Sequence, residues 1–293
     1  KGRQLAPLII RTRGHRLEGI WHSGSPMAGL IHLIRGIHLL VPRNMTQAAG
    51  FYNTLLKANQ PAIVIESLNG YGVKESIPSN LGEFTIALGK IEVVIKGNDV
   101  TVISYGSTLR IVEATSKQLE QVGIHIEVID LQSLIPFDLN EDIRDSILKT
   151  NRLLIVDEDV PGGASSYILQ QLIEKQNIYS LLDSAPQLLS AKAHRPAYGG
   201  DGDYFSKPSE DDIFEVPESR CRQLRMEIPR AIFEVNSKMG VTKKGTDVQV
   251  LPRDFAGLLE FYKKMARGDV AYNLFGHFGD AHLHFNFMPN PNE

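Results

Sequence analysis

Histidine is the side chain whose ordinary pKa lies nearest neutrality, so the 9 histidines of this 293-residue chain are the first places to look for proton transfer or metal ligation. His22 stands in His22-Ser23-Gly24-Ser25-Pro26. An imidazole there can donate to a developing alkoxide or shuttle a proton; it equally suits a polar position in a Gly/Ser turn. Glu66 closes the apolar run Pro61-Ala62-Ile63-Val64-Ile65. The carboxyl ends of strands are where open α/β sheets place ligand groups, and a solvated end-of-strand carboxylate fits the same position. Arg11, Arg13 and Arg16 add positive charge for a substrate carboxylate or interface acids, though Arg11 and Arg13 read more simply as strand-edge charges.

A second group lies near the end of the chain. From His282 onward polar and apolar residues alternate, so His282, His284 and Asn286 share one strand face and Leu283, Phe285 and Phe287 the other. A turn over Gly276 to Gly279 brings His277 back beside them. Two imidazoles and an amide suit a divalent metal or the carboxylate of a hydroxy acid. A histidine-rich strand packed in a core is the competing reading.

The elements that must position these residues follow from periodicity. Pro7 to Arg11, Ile37 to Val41 and Pro61 to Ile65 read as buried strands. Ala49, Tyr52, Leu55 and Leu56 recur at helical spacing between Thr46 and Asn59, with Thr46 as the cap. Asn69 to Gly82, rich in Gly, Pro and Ser, reads as a linker. A second alternating block follows: strand Val100 to Tyr105, a helix to about Val122 ended by Gly123, strand Ile124 to Ile129, helix 140–149, strand Leu153 to Val156 and helix 164–175. Strands alternating with long helices imply crossovers and a mainly parallel sheet, with strands covered on both faces. Gly163 lets the helix after it pack closely on the sheet, and that helix N-terminus is a possible anion site. After about Glu215 the texture changes: helix-like residues interrupted at Pro229, a basic turn at Lys243-Lys244-Gly245, an amphipathic helix from Asp254 to Ala266, and the aromatic, histidine-rich end.

Composition bounds the rest. Hydrophobic residues at 42% and charged residues at 22% are those of a soluble globular protein. A formal net charge of -3 gives no sign of nucleic-acid or anionic-membrane binding. The single cysteine, Cys221, rules out an intrachain disulfide framework and a multi-cysteine zinc cluster, and fits a reducing cytoplasm. No apolar run approaches the roughly 18 residues needed to span a bilayer. The opening Lys1-Gly2-Arg3-Gln4 lacks a signal-peptide core and reads as the interior of something longer.

Several motifs in one order carry a family resemblance: Arg11-Thr12-Arg13-Gly14-His15 through His22-Ser23-Gly24-Ser25-Pro26, Leu40-Val41-Pro42-Arg43-Asn44, Gln60 to Glu66, Ile129-Asp130-Leu131-Gln132-Ser133-Leu134-Ile135-Pro136-Phe137-Asp138, and Lys149 to Glu158 with Gly162-Gly163 opening a helix. Together they resemble the beta subunit of thiamine-diphosphate-dependent 2-oxo acid dehydrogenases. The resemblance implies a partial pyrimidine-binding domain over 1–82 and a transketolase C-terminal-type domain over 83–214. By resemblance His22 is the catalytic histidine that stabilises acyl-transfer intermediates and helps receive the lipoyl arm; His15 is a second candidate, for the cofactor rim, and Glu66, from its place at the strand end, is a candidate cofactor-binding residue. It implies thiamine diphosphate with magnesium shared with an alpha component, and a dihydrolipoyl acyltransferase core as a further partner in a homo- or hetero-oligomer. The glutamate that activates the aminopyrimidine is expected upstream of Lys1. Ala58 stands where the family's potassium pattern has an acid. Gly199 to Asp203 only mimics the start of the diphosphate motif and reads as a loop.

Val216-Pro217-Glu218, Thr242-Lys243-Lys244-Gly245-Thr246-Asp247 and Gly276-His277-Phe278-Gly279-Asp280-Ala281-His282-Leu283-His284-Phe285-Asn286 resemble a second family, the C-terminal domain of FAD-linked oxidases of the D-lactate and D-2-hydroxyglutarate dehydrogenase type. This resemblance assigns residues 215–293 to a partial fragment of that domain. Its implied metal ligands are His277 and His284, with zinc as the metal, and its substrate contacts are Lys243 and Asn286. The expected whole is an α/β protein with mainly parallel sheets and flanking helices, followed by a small α+β fragment. Its leading function is that of a partial 2-oxo acid dehydrogenase beta component. The alternatives are an FAD-linked D-2-hydroxy acid dehydrogenase fragment and a catalytically silent interface or composite chain.

Overall fold

The computed structural model describes residues 6–15, 25–193, 207–217, 237–238, 244–265, 271–277 and 282–288. The chain falls into two compact units, Lys1–Ser219 and Arg220–Glu293.

The first unit contains two sheets. The N-terminal one has the order β1 (Ile9–His15), β3 (Ala62–Ser67), β2 (His38–Leu40), β7 (Ser133–Ile135). Its first three strands are parallel and β7 runs antiparallel to β2. All residues of β3 are buried, as a central strand covered on both faces requires. The crossover between β2 and β3 is α2 (Met45–Leu55), whose Phe51 and Leu55 pack on Leu40, Ala62 and Val64. Its cap is Asn44, not Thr46: the Asn44 side chain accepts from the Gln47 amide at 2.8 Å. Asn44 has extended backbone, which aims its short side chain at the unbonded first-turn amides.

The second sheet has the order β4 (Glu92–Ile95), β6 (Ile126–Asp130), β5 (Val100–Ser104), β8 (Leu153–Val156), β9 (Gln187–Leu189). Strands β6, β5, β8 and β9 are parallel and β4 is an antiparallel edge. The α/β architecture expected from the alternating pattern is present, with β4, β7 and β9 added by short segments that periodicity does not single out. Helix α3 (Leu109–Gln121) buries Leu109, Val112, Thr115, Ser116 and Leu119, a stripe at helical spacing. Gly123, at φ +79, follows its C-cap, a conformation that costs glycine little. Helix α4 (Asp142–Thr150) leads into β8, and α5 (Ala164–Gln170) continues through a π-helical turn to Lys175. One apolar core joins Leu39, Ile63 and Ile65 of the first sheet, Ile103, Ile129 and Ile155 of the second, and Met27 and Ile31 of helix α1 (Met27–Leu33). Residues 210–217 are helical, so the boundary expected at 214/215 falls inside a helix. That helix is tied to the first unit through fully buried Ile213 and a 2.7 Å hydrogen bond from Gln118 to Glu210.

The second unit is an antiparallel sheet of order β10 (Lys244–Gln249), β12 (His282–Met288), β11 (Ala271–His277), with helix α6 (Phe255–Met265). Lys244 and Gly245, read from sequence as a basic turn, open β10 instead. Leu283 and Phe285 are fully buried, and the ring of Tyr262 from α6 stacks on Phe285 with centroids 4.7 Å apart. Leu283, Phe285 and Tyr262 form the core that Leu258, Leu259 and Leu274 complete.

Candidate active site

The carboxyl edge of the N-terminal sheet gathers the first group of candidate residues. β1 and β3 pair with Arg13 opposite Glu66 and His15 opposite Ser67. His15 is therefore placed beside the end of β3; its side chain lies outside the described residues. Glu66 is 3% exposed. Its Oε1 accepts from the Tyr52 hydroxyl at 2.5 Å, and its Oε2 accepts from Arg11 Nε at 2.9 Å and from the Tyr71 hydroxyl. Burial and the adjoining Glu66 carboxylate push the Tyr52 phenol well above its ordinary pKa, and Tyr71 shifts the same way for the same two reasons. Arg11 is raised by its hydrogen bond with Tyr71 and by the Glu66 charge. Three donors occupy most of the roughly four acceptor sites of a carboxylate. Glu66 thus pins Tyr71, in the segment after β3, to the sheet edge. Next to it the fully buried Ser67 hydroxyl has no hydrogen-bond partner among the described residues.

The carboxyl end of β8 carries Asp157, Glu158 and Asp159, all 6% exposed or less. Asp157 accepts from the fully buried Tyr105 hydroxyl at 2.5 Å, the Asp159 amide at 3.0 Å and the Ser165 amide at 2.7 Å. Glu158 pairs with buried Lys207 at 3.3 Å. Asp159 accepts from the amides of Val160 at 2.9 Å and Ala28 at 3.2 Å, and from that of Ala164. Desolvation raises the pKa of Asp157 and of Asp159, and these hydrogen bonds oppose it. The N-terminus of α5, read from sequence as a possible anion site, already holds two anions of the chain itself. An added Cβ at Gly163 would lie 2.5 Å from Asp159 Cγ, so glycine is what lets that carboxylate reach the helix.

Residues 89–199 match the family model for the transketolase C-terminal domain. The chain is 32% identical over 214 residues to the pyruvate dehydrogenase E1 component subunit beta of Mesostigma viride, covering 72% of this chain and 64% of that protein. It is 30% identical to the acetoin:2,6-dichlorophenolindophenol oxidoreductase subunit beta of Bacillus subtilis, covering 74% of this chain and 60% of that one. It is 37% identical to the mitochondrial 2-oxoisovalerate dehydrogenase subunit beta of Chaetomium thermophilum, covering 62% and 39% respectively. The chain spans less than two thirds of the length of each of these relatives. Among solved structures, a split gene transketolase described as an inactive beta4 tetramer superposes with a TM-score of 0.56 at 19% identity, over 72% of this chain and 65% of that one. That likeness concerns the fold.

In the transketolase-type domain, the buried charges that matter were not singled out as site residues from sequence. Asp157 and Asp159 flank Glu158 directly after an apolar strand and before Gly162-Gly163, a pattern that could have been read as internal helix capping. Tyr71 and Lys207 carry no such signal, because only the folded chain brings them to their carboxylates.

Among the sequence-derived candidates, His22 and Lys243 lie outside the described residues. The backbone register of the second unit places His277 opposite His282, Phe275 and Asp247 opposite His284, and Asn273 and Gly245 opposite Asn286. The histidine positions therefore alternate with Leu283 and Phe285, which pack toward Tyr262 of α6. Among the described residues no group of three His, Cys, Asp or Glu side chains is placed to hold a metal ion.

Proposed function

We propose that this chain is a partial beta component of a 2-oxo acid dehydrogenase, acting with an alpha component to decarboxylate pyruvate or a branched-chain 2-oxo acid and pass the acyl group to lipoamide. The observation that carries this reading is the 32% identity over 214 residues to the pyruvate dehydrogenase E1 component subunit beta of Mesostigma viride. Thiamine diphosphate, with its diphosphate and magnesium held by the alpha component, would supply the electron sink that carbon–carbon cleavage needs. On the beta side, the unpartnered Ser67 hydroxyl fits a polar group of the cofactor at the carboxyl edge. Glu66, already holding Tyr52, Tyr71 and Arg11, shapes that rim and does not offer a free carboxylate to the ring. His15 borders the same edge, and His22 is assigned the proton-shuttling role during acyl transfer. A dihydrolipoyl acyltransferase core, a homo- or hetero-oligomeric assembly and a cytoplasmic location complete the proposal.

The test is reconstitution. Mixed with purified alpha components of the pyruvate and branched-chain enzymes, the chain should bind thiamine diphosphate and support reduction of 2,6-dichlorophenolindophenol by one of the two acids. His22→Ala should depress acyl transfer to lipoamide while leaving cofactor binding in place. Absence of cofactor binding with every alpha component tried would sink the reading.

A second reading concerns the tail: a fragment of an FAD-linked D-2-hydroxy acid dehydrogenase in which His277 and His284 hold zinc and Lys243 and Asn286 meet substrate. The register that sets His277 against His282, two positions from His284, favours it. Zinc retained by the purified chain and lost in both His277→Ala and His284→Ala would support it. Retention unaffected by either change would refute it. Neither zinc nor thiamine diphosphate binding, with a stable oligomer, would leave an interface module.

A further inference from the structure

A cleft of about 470 Å³ opens between α1 and α5, and one end of it reaches Gly162 and Gly163. Its walls include Ile31, Ile34, Ile135 and Tyr167, and Arg35 supplies its cationic side. The volume lies in the range of small-ligand pockets, about 300–1,000 Å³, which are apolar with a few placed polar groups. Arg35 is held against the end of α1. Its Nη1 donates to the last carbonyls of α1, those of Ile31 at 3.2 Å, His32 at 2.9 Å and Ile34 at 2.8 Å. Those bonds fix the guanidinium plane and neutralise the helix C-terminus, yet use only one of its three nitrogens. Among the described residues no carboxylate pairs with Arg35, in contrast with Arg11, Arg43 and Arg152, each of which meets an acid.

We propose that this cleft binds a small carboxylate with an apolar body, its carboxylate on the free Nε and Nη2 of Arg35 and its hydrocarbon against Ile31, Ile34, Ile135 and Tyr167. A planar guanidinium whose orientation is already fixed is suited to a two-point contact with a carboxylate. The other end of the cleft disfavours an anion, because Gly163 there adjoins the Asp159 carboxylate. That asymmetry gives the ligand its direction. The amides of α5 are committed to Asp157 and Asp159, so binding rests on Arg35 and not on the helix N-terminus. This inference stands apart from the proposed thiamine chemistry.

The probes are 3-methylbutanoate and its uncharged amide, followed by saturation-transfer NMR on the full chain. The carboxylate should bind and the amide should not. Arg35→Gln should weaken binding by roughly tenfold, the scale of a lost charge-assisted contact. Ser166→Trp, at an exposed position of α5 on the cleft wall, should abolish binding by filling the space without touching the Arg35 contacts to α1. Because Ser166 is exposed, that variant keeps the test valid even where Arg35→Gln loosens α1. No saturation transfer from the carboxylate, equal binding of the amide, or full binding by either variant would overturn the proposal.

Discussion

Arg43 Nη1 lies 2.7 Å from Oδ2 of Asp130, joining the turn after β2 of the first sheet to the end of β6 in the second. The aspartate is fully buried, and Gln47 Nε2 also donates to it at 3.0 Å. The same guanidinium reaches Glu92 of β4 at 2.7 Å. A charge network at the meeting of two sheets fixes how they are joined, because its geometry is far less forgiving than apolar contact.

Removing one side of that network should cost more than a surface ion pair would. Asp130→Ala leaves Arg43 and Gln47 without their buried acceptor, and the expected loss is about 3–5 kcal/mol. Urea unfolding of the variant against the parent chain checks this. A loss below about 1 kcal/mol, the range of exposed pairs, would mean that the network is solvated.

Tyr52→Phe removes one of the two phenols on Glu66 while keeping the ring in place. Leaving Glu66 Oε1 without its donor should cost about 1–3 kcal/mol. A spectrophotometric tyrosine titration should also lose an alkaline component, since burial and Glu66 hold the Tyr52 phenol above the ordinary range. An unchanged titration curve would place that component elsewhere.

The pH dependence of stability carries a sign set by Asp159. Burial raises its pKa in the folded state above that of the unfolded chain, so the folded chain binds the proton more tightly. Stability from this group is present at low pH and is lost as pH rises through the folded-state value. Asp159→Asn should therefore remove part of that downward slope. Denaturant unfolding across the acidic to neutral range, parent against variant, gives the difference directly. A steeper fall in the variant would refute the assignment.

In the second unit, Tyr262 stacks on Phe285 with the planes 3° apart, and both side chains are buried. Tyr262→Ala should destabilise this unit by about 3–5 kcal/mol, the usual cost of emptying an aromatic site. Hydrogen exchange at the Leu283 and Phe285 amides should accelerate, with protection in β5 and β8 unchanged. Equal acceleration in β5 and β8 would show that the two units unfold together.

Local pattern carried much of this architecture. The runs at Ile63, Val102 and Leu154 are apolar because central parallel strands are covered on both faces, so composition alone marks them. The stripe on α3 and the stop at Gly123 are likewise local, as is the alternation that buries Leu283 and Phe285 in β12. The ordered motifs of the first 214 residues are likewise legible in the sequence, and they carry the resemblance to the beta subunits. Three things needed the tertiary structure. Strand β7 joins the N-terminal sheet although its sequence lies in the second block, because pairing with β2 depends on a partner more than 90 residues away. The capping of α1 by Asp159 spans 131 residues. The meeting of Tyr52, Tyr71 and Arg11 on Glu66 draws on three separate stretches of the chain. Periodicity reports which face of an element is apolar and says nothing of which distant polar group meets a carboxylate. Burial makes that meeting obligatory, and only the folded chain decides which residues supply it.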